Sequence, residues 1–163
     1  DYQVVDLPYI GGDTGMIIFL PATGTFESFR DAITAEQFQE IVTQMSASQV
    51  IVTLPRWEYE SELELSDICS QMGMAGAFSD DADFSGIAEE ALAIDGVLHK
   101  AFIAVDEEGT EAAAVTALTM RATSAPAEIF EFNADRPFVY TIYDRITGSV
   151  LFLGQVTNPE PDS

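Results

Sequence analysis

The residues from Glu107 to Ser124, EEGTEAAAVTALTMRATS, constrain the fold more than any other stretch of the chain. They include no proline and one glycine, Gly109. Read with a period of two, they separate into an uncharged face and a face that carries both charges after Gly109, Glu111 and Arg121. A strand that slides between two others needs one face for a core and one for solvent. An alanine-rich helix or a plain loop fits the same letters, because Ala, Glu, Leu, Met and Arg are good helix formers.

The residue pattern in the first third of the chain predicts a β-hairpin followed by helices. The apolar runs QVVDLPYI and GMIIFLP flank the turn sequence GGDT, which indicates two mostly buried strands. TFESFRDAI begins with Thr25 in an N-cap position. Thr34 and Gln37 have capping-box spacing, and the apolar residues that follow recur at helical spacing, so we predict a helix over 35–45.

The middle of the chain predicts strands around one short helix. SQVIVTLP indicates a strand that stops at Pro55, and WEYESELEL alternates so that one face of a long strand is acidic and solvated. SDICSQMG predicts a helix with Ser66 as its N-cap and Gly73 past its end, with Cys69 as a small buried thiol. Residues 93–105 predict a long buried strand, and AEIFEFN, RPFVYTIYD and SVLFLGQV predict three more.

Charge excludes several classes of partner. The formal net charge is −22, from 28 acidic and 6 basic residues, and Lys100 is the one lysine. Such an acidic protein repels nucleic acid and anionic membranes, so we expect neither as a partner. Every apolar run is shorter than the roughly 18 residues that a membrane span needs. The single cysteine excludes a disulfide within the chain.

The sequence offers only weak candidates for a metal site or a catalytic group. Asp81, Asp83 and Ser85 resemble the first half of a calcium loop, but Leu92 stands at the twelfth position, where a bidentate Glu is required. His99 is the one histidine, which excludes a two-histidine metal site within the chain. Since His99 lies in an apolar strand, a hydrogen-bonded core histidine is favoured over a catalytic base. We therefore predict no metal, no cofactor and no catalytic residue.

The order of several segments resembles the serpin family of serine protease inhibitors. GTEAAA with the threonine-rich run after it is similar to the hinge and reactive-centre loop of a serpin, and NADRPFVYTI to its C-terminal signature. The flanking segments follow in family order, namely VTLPRWEYESELEL, ICSQMGMAGAFSDDADFSGI, VLHKAFIAVDEEGTEAAA and LFLGQVTNP. The resemblance implies an α+β fold of mostly antiparallel strands with a few short helices. A serpin domain is more than twice this long, so residues 1–163 are expected to be its C-terminal part, completed by an N-terminal part.

The resemblance implies an inhibitor that acts as a suicide substrate. Residues 109–124 would be the reactive-centre loop, which a serine protease cleaves and which then inserts into the main sheet with the acyl-enzyme attached. The hinge would comprise Gly109, Thr110, Glu111, Ala112, Ala113 and Ala114. The small residues of this hinge favour inhibition, while a non-inhibitory serpin that binds or stores is the alternative. A hydrolase is disfavoured by the lone His99.

The resemblance also implies roles for single residues. Counting Gly109 as the fifteenth residue before the cut gives 109 + 14 = 123, hence Thr123–Ser124 as the reactive bond, with Arg121–Ala122 as the rival. Thr123 would suit an elastase-like or subtilisin-like target, and Arg121 a trypsin-like one. Arg56 and Glu107 would form an ion pair at the top of the main sheet, and His99 would lie where that sheet opens. Secretion to the extracellular space is expected.

Overall fold

A computed structural model describes residues 1–106 and 129–159. The chain divides into two compact units, Asp1–Trp57 with Val105–Ser163, and Glu58–Ala104. Within the described ranges the strands are joined by a few short helices, as the α+β prediction required. None of the described helices is long and apolar enough to cross a membrane.

The first unit is built on a four-stranded antiparallel sheet. Its members are β1 (Tyr2–Pro8), β2 (Thr14–Pro21), β7 (Phe138–Asp144) and β8 (Val150–Val156), in the order β1-β2-β7-β8. The predicted hairpin is confirmed, because β1 and β2 pair directly through the turn after Pro8. β2 and β7 lie at the centre, with Ile17 opposite Thr141, and both are almost wholly buried.

Two helices cover one face of this sheet. They are α1 (Phe26–Ala32) and α2 (Ala35–Gln44). Phe29 and Phe38 pack on Phe19 of β2, with ring centroids 6.0 and 6.1 Å away. The opposite face carries Trp57 against Phe138.

The two helices begin differently. The predicted capping box of α2 is confirmed, since the Thr34 hydroxyl accepts from the Gln37 backbone N–H and the Gln37 side chain accepts from the Thr34 N–H. Thr25 is the N-cap residue of α1, as predicted, but its side chain makes no capping hydrogen bond to the helix. Its hydroxyl donates to the Ala22 carbonyl at 2.8 Å, and so it supports the preceding turn instead of the helix.

A second, parallel pair of strands belongs to the same unit. β3 (Gln49–Thr53) lies beside β6 (Ile129–Asn133), with Ile51 opposite Glu131. The Ala134 N–H extends the pairing by donating to the Thr53 carbonyl at 2.9 Å. β3 ends before Pro55, as predicted.

The second unit holds most of the pair β4 (Trp57–Glu64) and β5 (Leu98–Val105), which form a two-stranded sheet. The acidic face predicted for β4 is confirmed, because all four of its glutamates are exposed. Between the strands lie α3 (Ser66–Cys69), a π-helical turn (Ser70–Met74) and a 3₁₀ turn (Ala75–Phe78). Gly73, with φ of 108°, interrupts these turns in the left-handed region that favours glycine.

Three expectations for this unit are wrong. Leu65, not Ser66, precedes α3 as its N-cap, because the Ser66 hydroxyl accepts from the Val97 N–H and donates to Glu64. Cys69 is partly exposed, not buried. The strand predicted over 93–105 begins at Leu98, and its first three residues are exposed before exposed and half-buried residues alternate. Its predicted first residues bond elsewhere, since the Ile94 N–H donates to the Ala77 carbonyl.

Candidate functional site

The predicted reactive-centre loop falls in the part of the chain that the structure leaves undescribed, residues 107–128. The predicted residues that lie outside the description are therefore Glu107, the hinge from Gly109 to Ala114 and both candidate bonds, Thr123–Ser124 and Arg121–Ala122. Of the predicted residues, Arg56 and His99 lie in the described ranges, as do the strands on either side of residues 107–128.

The two bounding strands are regular and each has a paired neighbour. β5 ends at Val105, four residues before Gly109, and is hydrogen-bonded to β4. β6 begins at Ile129 and is hydrogen-bonded to β3. Among the described strands β5 has one neighbour, so its other edge presents backbone N–H and C=O groups that an added strand could pair with.

Arg56 stands between two buried residues. Pro55 and Trp57 are both buried, while Arg56 itself is exposed. Trp57, the first residue of β4, is 8% exposed and packs on the rings of Phe138 and Tyr140. Arg56 was predicted to begin this strand, and the structure places it directly before β4, whose first residue is Trp57. Its predicted partner, Glu107, lies outside the described residues.

His99 does not occupy the core position that its apolar surroundings predicted. It lies on β5 and is exposed. The expectation fails because β5 is paired on one side only in the described ranges, so its apolar residues are not enclosed. The predicted role of His99 at the opening of the sheet stays a prediction.

The residue after His99 joins the two strands of this unit. The Lys100 ammonium lies 2.6 Å from the Glu62 carboxylate, with each side chain about half exposed. An exposed pair of this kind contributes about 0–1 kcal/mol. It gives the one lysine a local partner on the acidic face of β4 but does not make a binding site.

The acidic loop after the 3₁₀ turn has a local structural role. The Asp83 carboxylate accepts from the Ser85 N–H at 3.1 Å, and its hydrogen bonds with Ser85 lower the pKa of Asp83. Throughout the described ranges, no group of three or more His, Cys, Asp or Glu residues is placed to hold a metal ion. Asp83 thus acts as a turn residue.

Sequence reasoning missed a polar cluster in the four-stranded sheet. The Arg145 guanidinium lies 3.0 Å from the Asp6 carboxylate, and the Tyr143 hydroxyl donates to the same carboxylate oxygen at 3.3 Å. Burial raises the pKa of Asp6, against the opposing effects of the Arg145 charge and the Tyr143 hydrogen bond. Burial likewise raises the pKa of Tyr143. The one signal in the sequence is that Asp6 is a lone charge inside the apolar run QVVDLPYI.

Comparison with known proteins settles the family. The family model described as Serpin (serine protease inhibitor) matches residues 1–159. This chain belongs to the serpin family. The sequence-based recognition is thereby confirmed, and the solved structures that resemble the chain are serpins as well.

Three relatives illustrate the range of this family. An uncharacterised serpin-like protein of Thermococcus kodakarensis is 45% identical over 98% of this chain and 38% of its own length. Intracellular coagulation inhibitor 2 of Tachypleus tridentatus is 36% identical over 94% of this chain and 38% of its own. The structure of thyroxine-binding globulin in complex with thyroxine has a TM-score of 0.76 and 27% identity, over 98% of this chain and 42% of that one. The chain therefore spans about two fifths of the length of the serpins it matches.

Proposed function

We propose that this chain is the C-terminal part of an inhibitory serpin, completed by an N-terminal part of the same domain. The loop 109–124 is the bait for a serine protease. The protease's own serine attacks the scissile carbonyl, and the cleaved loop then enters the main sheet as a new strand, carrying the acyl-enzyme with it. The chain contributes no catalytic residue to this reaction.

The position of the hinge relative to β5 carries the proposal. GTEAAA follows four residues after the end of β5, a strand with an unpaired edge among the described strands. Small residues at Ala112, Ala113 and Ala114 bring no bulky or charged group into a sheet, and Thr110 and Thr116 favour extended backbone. The name of the Tachypleus relative, a coagulation inhibitor, supports the same class of function.

The reactive bond is proposed to be Thr123–Ser124. A small, uncharged Thr123 suits the pocket of an elastase-like or subtilisin-like protease. Arg121–Ala122 is the alternative bond for a trypsin-like protease. Extracellular action is part of this proposal, and recovery of the protein from the medium of the source organism tests it.

The decisive experiment compares two charge substitutions in the hinge of the full-length protein. Thr110→Arg lies on the face that must enter the sheet, where an arginine has to be desolvated without a partner. Each 1.4 kcal/mol added to the insertion barrier slows insertion about tenfold, so hydrolysis of the acyl-enzyme should win. The Thr110→Arg variant should be cleaved at the same bond but form no protease complex that survives SDS.

Glu111→Arg is the matched control, because residue 111 belongs to the outward face. It should retain much of the SDS-stable complex when an elastase, a subtilisin and trypsin are tested. If both variants inhibit like the parent, the loop does not act by entering the sheet and the proposal is wrong.

A non-inhibitory serpin is the second candidate. The solved thyroxine complex shows that a protein with this fold binds a small ligand. A parent protein that every protease of the panel leaves uncleaved, or cleaves without forming a complex, would favour this candidate.

A further inference from the structure

The two central strands of the four-stranded sheet are apolar on both faces. β2 is buried from Gly15 to Pro21, and β7 is buried from Phe138 to Thr141. A one-residue slip always exchanges the faces of a strand, whereas a two-residue slip keeps each side chain on its own face. Because a two-residue slip of β7 along β2 keeps every side chain on its own face, the apolar pattern alone does not distinguish this register from the two that differ from it by two residues.

A polar cluster lies at one end of the same pair of strands. Asp6 of β1 reaches across β2 to Tyr143, near the end of β7, and to Arg145 just after it. The residue between them on β2 is Gly15, directly opposite Tyr143. A Cβ atom on Gly15 would lie 2.8 Å from the Asp6 Oδ1 and 3.2 Å from the Tyr143 ring, so the glycine leaves the space that the cluster fills.

A backbone hydrogen bond beside the cluster also connects the two hairpins. The Arg145 N–H donates to the Asp13 carbonyl at 2.8 Å, which joins the turn after β7 to the turn before β2. The two hairpins of the sheet are thus tied at one end by side chains and main chain together. Each of these contacts requires Tyr143 to lie opposite Gly15.

The burial of Asp6 argues against a stabilising role for the cluster. The Asp6 side chain is 16% exposed, and its Oδ1 is buried without a hydrogen-bond partner in the described ranges. Burial raises the pKa of Asp6 despite the neighbouring Arg145, so folding disfavours the charged carboxylate. Buried ion pairs are often no more stabilising than apolar residues of similar volume, and specification of a register is their best-attested use.

We propose that the cluster of Asp6, Tyr143 and Arg145 specifies the register of β7 against β2 without strengthening the sheet. A two-residue slip moves Tyr143 and Arg145 by about 7 Å along the strand direction, which is out of hydrogen-bonding reach of Asp6. The slipped sheet would therefore leave a largely buried carboxylate without its cation. The native register is selected because it alone pairs that charge.

The test replaces the pair by apolar residues and observes the register directly. Asp6→Leu with Arg145→Met, in the full chain, removes both charges at once. Ile142 is the reporter, because it lies opposite Met16 in the present register and would lie opposite Ile18 or Thr14 after a two-residue slip. Methyl NMR of the double variant should show a second set of Ile142 signals that lacks the contact with Met16. The midpoint of urea unfolding should be unchanged or higher.

An exposed ion pair supplies the matched control. Glu62→Leu with Lys100→Met applies the same chemistry to the bridge of the other unit and should leave one set of Ile142 signals. The proposal is overturned if the Asp6/Arg145 double variant also shows one set of signals with the Met16 contact intact. A large fall in its unfolding midpoint, or failure to fold, would overturn it as well, because the cluster would then be a source of stability.

Discussion

The Trp57 indole meets the Phe138 ring nearly edge-on, with the centroids 5.4 Å apart and the planes inclined at 70°. Its other ring neighbour is Tyr140, at 5.5 Å. Trp57 is the one tryptophan of the chain, and its Nε1 is buried without an acceptor among the described residues. The contact therefore depends on the packing of the rings, and the indole N–H contributes no hydrogen bond to it.

Trp57→Phe should keep the edge-on contact while it removes the unpartnered N–H. A buried donor without a partner costs about 1–3 kcal/mol, which offsets the smaller ring, so the free energy of unfolding should stay within about 1 kcal/mol of the parent. Trp57→Ala should lose about 3–5 kcal/mol. Urea unfolding followed by circular dichroism measures both. Equal losses in the two variants would mean that the indole N–H has a partner.

Asp6 should make stability fall as pH rises. Its pKa is raised above the ordinary 3.8 by burial, so the folded state holds this proton more tightly than the unfolded chain. The resulting stabilisation is complete below pH 3.8 and is lost as pH rises through the folded pKa. The unfolding free energy of the parent minus that of Asp6→Asn should therefore decrease across this window.

Asp144 provides a comparison of opposite sign. Its carboxylate accepts from the N–H groups of Thr147 and Ile146, and these bonds lower its pKa. The unfolding free energy of the parent minus that of Asp144→Asn should increase as pH rises through the pKa of Asp144 in the folded state. The same slope for both aspartates would contradict the assignment of causes.

Thr34→Ala should destabilise the protein by about 0.5–2 kcal/mol, because the Thr34 hydroxyl caps α2 through the Gln37 N–H. Thr34→Ser keeps the oxygen and should lose little. Unfolding midpoints of the two variants measure the difference, and equal losses would show that the methyl group of Thr34, not its oxygen, is what matters.

Cleavage of the loop should occur at Thr123–Ser124. Mass spectrometry of the C-terminal peptide released by an elastase or a subtilisin identifies the bond. A peptide that begins at Ala122 would instead assign the reactive bond to Arg121.

Neutralising Arg56 or Glu107 should speed spontaneous insertion of the loop if the two residues bridge. The double variant should then add little to either single change. Rates of conversion on native gels measure this, and strictly additive effects would show that the residues act independently.

Local signals predicted the elements well. The Thr34 capping box and the alternating glutamates of β4 were readable because the atoms involved lie within a few residues of one another. The GTEAAA hinge was predicted from its resemblance to serpins, lies outside the described residues and stays a prediction.

Long-range contacts explain the failures. Ser66 had the residue type of an N-cap, but its hydroxyl bonds the Val97 N–H, a partner that no local pattern reveals. His99 was predicted to be buried because its neighbours are apolar, yet burial depends on which strands flank β5. The pairing of Asp6 with Arg145 was equally invisible, since it depends on the order of strands in the sheet.

The strand order β1-β2-β7-β8 has a consequence for how the protein is made. Asp6 and Tyr143 are 137 residues apart, so at ordinary translation rates β2 waits on the order of 10 s for β7 to leave the ribosome. During that interval β2, which is apolar on both faces, has β1 as its one neighbour among the described strands and is prone to aggregation. The yield of native protein should therefore depend on chaperone supply and on the speed of synthesis. Slower elongation between the two hairpins would lengthen the vulnerable period.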